Sequence, residues 1–168
     1  TPQIFFEDLV RRLAYSKRGT APMSLLLLQV DRVGRIQTEQ GPSGVQRVIR
    51  IAAQLLKASM REMDHLSRIS DDTFALLLPG ASLNDSASVA ERVRKSVERC
   101  RLPKQAGSVP SFTVSVGCVE ANETDDMRHL MERARKALEA AVHQGRNGTF
   151  VHDGTTVRDV EELQLVPR

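Results

Sequence analysis

Two carboxylates, Asp71 and Asp72, stand at the centre of Arg68-Ile69-Ser70-Asp71-Asp72-Thr73-Phe74, and the apolar run Ala75-Leu76-Leu77-Leu78-Pro79 follows at once. An alternating segment, a tight polar turn and a second apolar run read as a β-hairpin with strands near 65–69 and 74–78. A third carboxylate, Asp31, closes the apolar run from Ser24 to Val30. Asp31, Asp71 and Asp72 together form a set able to trap a hard cation, because such ions choose oxygen ligands. Just upstream of the hairpin, Arg61-Glu62-Met63-Asp64 places a guanidinium three residues from a carboxylate. These two groups carry complementary donors and acceptors. Their simplest use is a surface ion pair worth about 0–1 kcal/mol.

The elements that must hold these residues are legible from periodicity. Phe6, Leu9, Val10, Leu13 and Ala14 recur at helical spacing, predicting an opening helix that ends near Arg18-Gly19. Ser24 to Val30 predicts a strand buried on both faces. Gly41-Pro42-Ser43-Gly44 reads as a loop, followed by a helix whose stripe is Val45, Val48, Ile49, Ala52, Leu55 and Leu56. After the hairpin, Asn84-Asp85-Ser86 can cap a helix with the stripe Ala87, Ala90, Val93, Val97 and Cys100. A Pro/Gly-containing loop at 103–110 precedes an alternating strand from Phe112 to Val119. Met127, Leu130, Met131, Ala134, Ala137, Leu138 and Ala141 mark a further helix, with its Met residues in the core and Gly145 at its end. Thr149-Phe150-Val151 closes the order as a short strand.

The resulting order, α-β-α-β-β-α-β-α-β without an internal repeat, predicts an α/β (α+β) fold. Its core is a ferredoxin-like βαββαβ unit with a central, mostly antiparallel sheet flanked by helices. Residues 1–153 are read as one domain and 154–168 as a C-terminal tail. The final Leu165-Val166-Pro167-Arg168 resembles a thrombin-tag remnant.

Bulk composition narrows the function. The chain has 168 residues, of which 40% are apolar, enough for a core of one domain, and with no Trp that core must be aliphatic. The net charge of +3 is spread along helices, as on solvated helix faces, and predicts no nucleic-acid partner. Cys100 and Cys118 show no metal-type spacing and read as reduced thiols of a cytosolic domain. His65, His129, His143 and His152 are scattered, without a zinc pattern. No apolar run reaches the ~18 residues of a membrane span, and the start lacks a signal-peptide layout. A cytoplasmic domain with no membrane segment of its own is expected, which can still be the cytoplasmic part of a larger bacterial signalling protein.

Several segments are similar, in order, to the GGDEF family of bacterial diguanylate cyclases. Leu25 to Asp31 (LLLLQVD) resembles the family's first strand with its Asp-x-Asp end. Ser70 to Phe74 occupies the Gly-Gly-Asp/Glu-Glu-Phe signature, with Leu76-Leu77-Leu78-Pro79 after it. Ala90-Glu91-Arg92-Val93-Arg94 is similar to the AERxR helix, Phe112 to Gly117 to the vTvSiG strand, and Gly145-Arg146-Asn147 to the GRN that follows the last helix. The helix stripe from Val45 falls where the family's next helix lies. Only Thr1-Pro2-Gln3 stands for its N-terminal DxLTGLxNR stretch. The resemblance runs from about Pro2 to Phe150 and implies a nucleotidyl-cyclase type of fold.

It also implies a reaction. The family joins two GTP molecules, one on each of two facing domains, by attack of a 3′-hydroxyl on an α-phosphate with loss of pyrophosphate. That chemistry needs divalent metal and a glycine turn that admits the phosphates to backbone N–H groups. At the matching positions Gln29 replaces a metal-binding carboxylate, and Asp31 corresponds to the second, more structural Asp. Ser70 and Asp71 replace both glycines, Asp72 keeps the metal-ligand carboxylate, and Thr73 replaces the Glu beside the attacking hydroxyl. Asp71 adds a charge where phosphates would lie: two like charges ~4 Å apart repel by roughly 4 kcal/mol at an effective dielectric of ~20. The guanine-edge positions carry Gln37 and Gln46, Pro42 stands at the usual His, Glu139 at the common Tyr, and Val142 at a phosphate-contacting Lys.

Arg61 and Asp64 match the family's RxxD product-inhibition site, and Arg92 falls on a further arginine that contacts the same ligand. The resemblance thus implies a degenerate, catalytically inactive GGDEF-type module, a cyclic di-GMP or GTP receptor or regulatory element, with a homodimer or a flanking signalling domain as partner. The alternatives are an active diguanylate cyclase with a divergent site, and a purely structural dimerisation or interaction domain binding no nucleotide. No cofactor is called for otherwise, and Mg2+ only in company with bound GTP.

Overall fold

A computed structural model of the protein describes residues 1–18, 21–100 and 111–163. The expected loop at 103–110, the junction at Gly19 and the tag-like end lie outside the described residues. The elements are α1 (Pro2–Arg18), β1 (Met23–Val30), α2 (Val33–Ala58), β2 (His65–Arg68), β3 (Thr73–Pro79), α3 (Leu83–Glu98), β4 (Val114–Glu120), α4 (Met127–His143), β5 (Thr149–His152), β6 (Val157–Asp159) and a 3-10 turn at Val160–Leu163. The six strands form one sheet in the order β2-β3-β1-β4-β5-β6. All neighbours run antiparallel except β4 and β5, which are parallel. The first four strands with α2 and α3 are the expected ferredoxin-like unit.

The sheet has two cores because β-strand side chains alternate. Leu26, Leu28, Val30, Phe74, Leu76 and Leu78 face α2 and α3, where Val48, Ala52, Ala87, Ala90 and Val93 meet them. Leu25, Leu27, Ala75 and Leu77 face α1 and α4, where Phe5, Leu9, Leu130, Met131 and Ala134 meet them. The unbroken run of β1 is thus a strand buried on both faces, as its sequence predicts.

Four local features differ from the sequence expectation. Gly41-Pro42-Ser43-Gly44 is not a loop: helix runs from Val33 to Ala58 and is broken only at Gly41 (φ 71°, ψ −174°). Gly41 takes the left-handed region that side chains avoid, and Pro42 then serves as the opening residue of the second helical segment. Helix α3 starts earlier than the Asn84-Asp85-Ser86 cap, because Ser82 accepts from the Asp85 amide while Asp85 accepts from the Ser82 amide, a capping box. Cys100 lies beyond that helix and is only partly buried, whereas Cys118 is fully buried; both thiols are free. Part of the expected tail, 157–163, instead adds strand β6 and the 3-10 turn, whose Val160 joins the first core.

Helix α4 lies unusually close to the sheet at Gly117. A Cβ there would come 2.4 Å from the Leu138 amide nitrogen and 2.6 Å from the Ala134 carbonyl oxygen. Both are backbone atoms, so the helix as a body would have to retreat. Gly117→Ala is expected to destabilise the fold by about 3 kcal/mol in urea unfolding; a loss below about 1 kcal/mol would show that α4 can lift without cost.

Candidate functional site

The hairpin turn is pinned to the end of β1 by the backbone. The Val30 amide donates to the Asp72 carbonyl (2.9 Å), and Gln29 pairs in register with Thr73. This register brings Gln29, Ser70 and Thr73 around the Asp72 carboxylate. Gln29 Nε2 donates to Oδ2 at 3.3 Å, while the Ser70 and Thr73 hydroxyls donate to Oδ1 at 3.2 and 3.0 Å. Both carboxylate oxygens are therefore met by neutral donors. Arg68 folds back over the turn, donating from Nε to the Ser70 carbonyl (3.2 Å) and from Nη2 to the Asp71 carbonyl (2.5 Å). The Asp71 side chain is exposed at the tip.

Asp31, the other candidate carboxylate, points inward and is 4% exposed. It accepts from the Thr113 hydroxyl (2.7 Å), the Ser115 hydroxyl (2.7 Å) and the Asn147 amide (3.1 Å). The cation trap of Asp31, Asp71 and Asp72 is therefore not assembled. Among the described residues no group of three or more His, Cys, Asp or Glu side chains is placed to hold a metal ion. A divalent cation needs several oxygen ligands; here one carboxylate is surrounded by groups that present hydrogens. The residues present do not fit the metal that the family's reaction uses.

Beside the turn, Gln29 and the α4 residues Arg135, Leu138, Glu139, Val142 and His143 line a cavity of about 220 Å³. Glu139 and Val142 thus stand where the resemblance puts a Tyr and a phosphate-contacting Lys. The two guanine-edge positions are separated by the Gly41 break. Gln46 lines a groove of about 360 Å³ with Ile49, Arg50, Ala53, Arg68 and Phe74, whereas Gln37 is exposed on the preceding segment and is not part of that lining.

Arg61 and Asp64 meet at the turn that leads into β2. Asp64 is almost fully buried and accepts from the Arg61 backbone amide (2.8 Å), from Arg61 Nη2 (2.9 Å) and from Arg61 Nε (3.4 Å). Arg61 Nη2 also donates to the Pro79 carbonyl at 2.8 Å, while about half of the side chain stays exposed. Asp64 therefore positions Arg61 and shows no free face itself. Arg92 is exposed on α3, and none of these bonds goes to it.

The neighbouring arginine of the same motif, Arg94, has a structural part that the sequence reading missed. It donates to Glu91 (2.5 Å) and to Asn147 Oδ1 (3.0 Å), and it lies 3.6 Å from Glu98. Glu91 also accepts from the Thr149 hydroxyl at 2.9 Å. Burial works against the Glu91 charge, yet the Arg94 and Thr149 hydrogen bonds outweigh it and hold its pKa below the ordinary 4.5. Also missed were Arg50 and Arg68 of the groove and Arg135 and His143 of the cavity. The spacing of Gln46, Ile49, Arg50 and Ala53 along one helix face was the available signal.

With the folded-state pKa of Glu91 depressed, its stabilising contribution is complete above the ordinary carboxylate range and fades as pH falls through the folded value. The thermal midpoint is expected to drop on acidification below about pH 4.5, and Glu91→Gln should flatten that acid limb while lowering the midpoint at pH 7. Equal acid slopes in the two proteins would remove Glu91 from the account.

Comparisons with known proteins agree on one family. The sequence model of "Diguanylate cyclase, GGDEF domain" matches residues 3–148. Diguanylate cyclase DosC of Escherichia coli K12 is 30% identical over 137 residues, covering 82% of this chain and 30% of DosC. The uncharacterised protein YhcK of Bacillus subtilis is 30% identical over 146 residues, covering 84% of this chain and 40% of YhcK. The chain thus spans less than half the length of these relatives. Among solved structures, the GGDEF domain of DgcB from Caulobacter crescentus in complex with c-di-GMP superposes with a TM-score of 0.82 at 25% identity, covering 86% of each chain. The GGDEF domain of PA1120 (YfiN or TpbB) from Pseudomonas aeruginosa gives 0.83 at 25% identity, covering 90% of this chain and 94% of that one.

Proposed function

This chain belongs to the GGDEF domain family, of diguanylate cyclase type, and we propose that it serves as a non-catalytic signalling module that responds to cyclic di-GMP or GTP. The observation that carries this reading is the Asp72 carboxylate, whose oxygens are taken up by Gln29, Ser70 and Thr73. Each of these three replaces a residue the cyclase reaction uses, and each has become a donor to the one carboxylate that remains. Attack of a 3′-hydroxyl on an α-phosphate builds negative charge that has to be neutralised. Asp71 at the tip and Glu139 in the neighbouring cavity add negative charge instead.

Recognition of cyclic di-GMP is assigned to Arg61, with Arg92 as a second cation on α3. Arg61 is pre-oriented by the buried Asp64 and by the Pro79 carbonyl, and it keeps about half of its side chain open to solvent. A guanidinium so fixed loses little further freedom on meeting a phosphate or a guanine edge. DgcB provides a precedent of the same fold in complex with c-di-GMP. The recipient of the response in this reading is a second copy or a flanking domain. Among the described residues no helix is long and apolar enough to cross a membrane. The two free thiols suit the reducing cytoplasm, which is where we place the module.

Incubation with GTP and Mg2+ or Mn2+ is expected to yield no cyclic di-GMP by chromatography, and formation of the dinucleotide would overturn the non-catalytic reading. In calorimetry cyclic di-GMP should bind the wild type, and Arg61→Ala should weaken binding by about tenfold or more, the worth of a hydrogen bond to a charged group. Absent heats in both proteins would favour a scaffold that binds no nucleotide, and equal heats would remove Arg61 from the recognition of the ligand.

A further inference from the structure

The seam between α1 and the edge strand β2 holds a polar cluster apart from the hairpin turn and from Arg61. Side chains of β2 alternate, so Leu66 joins the core beneath α2 and α3 while His65 faces α1. Helix α1 presents Asp8 and Arg12, one turn apart, to that ring. Asp8 is 6% exposed, and three groups converge on its carboxylate. Arg11 Nη2 donates to Oδ1 at 2.6 Å, Arg12 Nε donates to Oδ2 at 3.0 Å, and His65 Nε2 lies 3.3 Å from the same Oδ2. Arg12 Nη2 stands 3.0 Å from His65 Nε2. Burial works against the Asp8 charge, yet the Arg11 and Arg12 bonds and the charges of His65 and Arg12 hold its pKa below the ordinary 3.8. Asp8 is therefore an ionised acceptor wherever histidine titrates. The other neighbours of His65 do not compete: its partner on β3 is Leu77, Asp64 is taken by Arg61, and Glu62 is exposed in the turn before the strand.

A guanidinium has donors and no acceptor. The Arg12 contact therefore requires a bare Nε2, which places the hydrogen of the neutral ring on Nδ1. The Asp8 contact requires the opposite, because only an Nε2–H can donate to a carboxylate. The two bonds exclude one another, and the proton on Nε2 decides between them. We propose that Asp8, Arg12 and His65 form a proton-operated latch between α1 and β2. With His65 neutral, Arg12 bridges the two elements, Nε on Asp8 and Nη2 on the ring. When Nε2 takes a proton from solvent, His65 donates to Asp8 directly and Arg12 Nη2 is released to water. Arg12 is 36% exposed, and Leu9 and Leu13 keep α1 on the sheet in both states, so the exchange needs no change in the core. The cluster of Asp8, Arg11, Arg12 and His65 passes from one net positive charge to two, which makes this edge of the domain more cationic in acid. The latch uses none of the residues assigned to nucleotide.

The test follows the side-chain nitrogens of the whole chain by NMR from about pH 8 to about pH 5, the span over which histidine changes charge. At the alkaline end the His65 ring should carry its hydrogen on Nδ1 alone, and the Arg12 Nη hydrogens should exchange slowly with water. Both signatures should disappear together as His65 titrates. Asp8→Asn removes the acceptor of the imidazolium proton and should move the His65 titration to lower pH by about half a unit or more; Arg12→Gln removes the neighbouring cation and should move it to higher pH by a similar amount. Unchanged amide shifts of β3 and β4 report that each variant is folded. The ring tautomer and the Arg12 signal are read on the unaltered chain, so they decide the matter even where a variant fails to fold. An Nε2–H tautomer of neutral His65, an Arg12 signal indifferent to the titration, or folded variants that move the titration in the same direction or not at all would each overturn the proposal.

Discussion

The buried charge of Asp31 is the constraint on which the arrangement of this domain depends. An ionised carboxylate at 4% exposure costs several kcal/mol unless its lone pairs are met. Here two hydroxyls of the β4 segment and the Asn147 amide meet them. To deliver that amide, the chain after α4 passes through three left-handed residues, Gly145, Arg146 and Asn147 (φ 116°, 62° and 47°). Two of them are not glycine, a conformation that persists only where surrounding bonds over-determine it. Asn147 supplies those bonds: its carbonyl side receives Arg94, its amide group reaches Glu98, and Arg94 ties Glu91, which in turn holds Thr149 of β5. One chain of polar contacts therefore runs from β1 through the turn after α4 to α3 and β5.

That chain explains which family motifs the sequence keeps. The Asp that ends LLLLQVD, the Glu and second Arg of AERxR, the Thr and Ser of the β4 strand and the Asn of GRN are all members of it. Each removes a buried polar group's desolvation cost, so losing one orphans the next. The positions that carry the reaction in the family lie outside it. Gln29, Glu139 and Val142 line an open cavity, and Ser70 to Thr73 sit at the hairpin end. They could be exchanged without unfolding the frame. The family's first strand illustrates both fates within three residues, since Asp31 belongs to the frame and Gln29 to the site.

Legibility followed the same division. Continuous burial of β1 and the apolar stripe of α4 were plain in the sequence because hydrophobic period and burial coincide there. The first segment of α2 was missed because Gly41-Pro42 reads as a chain breaker, whereas one left-handed residue followed by a proline that suits a helix start only bends the rod. β6 carries no pattern of its own: Val157-Arg158-Asp159 is too short, and its pairing with β5 is a tertiary fact. The elements that carry Asp72, Arg61 and Gln46 were legible in the sequence, but the partners of these side chains were not. That Asp64 is spent on orienting Arg61, or that Arg94 and not Arg92 is the buried member of its motif, depends on distances that spacing along the chain does not encode.

The turn shows why separate replacements in one site need not be independent losses. A lone Asp72 beside a neutral Gln29 would be a carboxylate without its counter-ion at a half-buried position. Ser70 and Thr73 bring hydroxyls to the same oxygen, and Gln29 brings an amide to the other. Charge-assisted bonds of this kind are each worth about 1.5–3 kcal/mol where solvent is displaced, and less at the rim. The set closes the hairpin without a cation and leaves Arg68 free to clamp its carbonyls from the opposite side. The same turn carbonyls hold Arg68, which pairs with Phe74 across the hairpin.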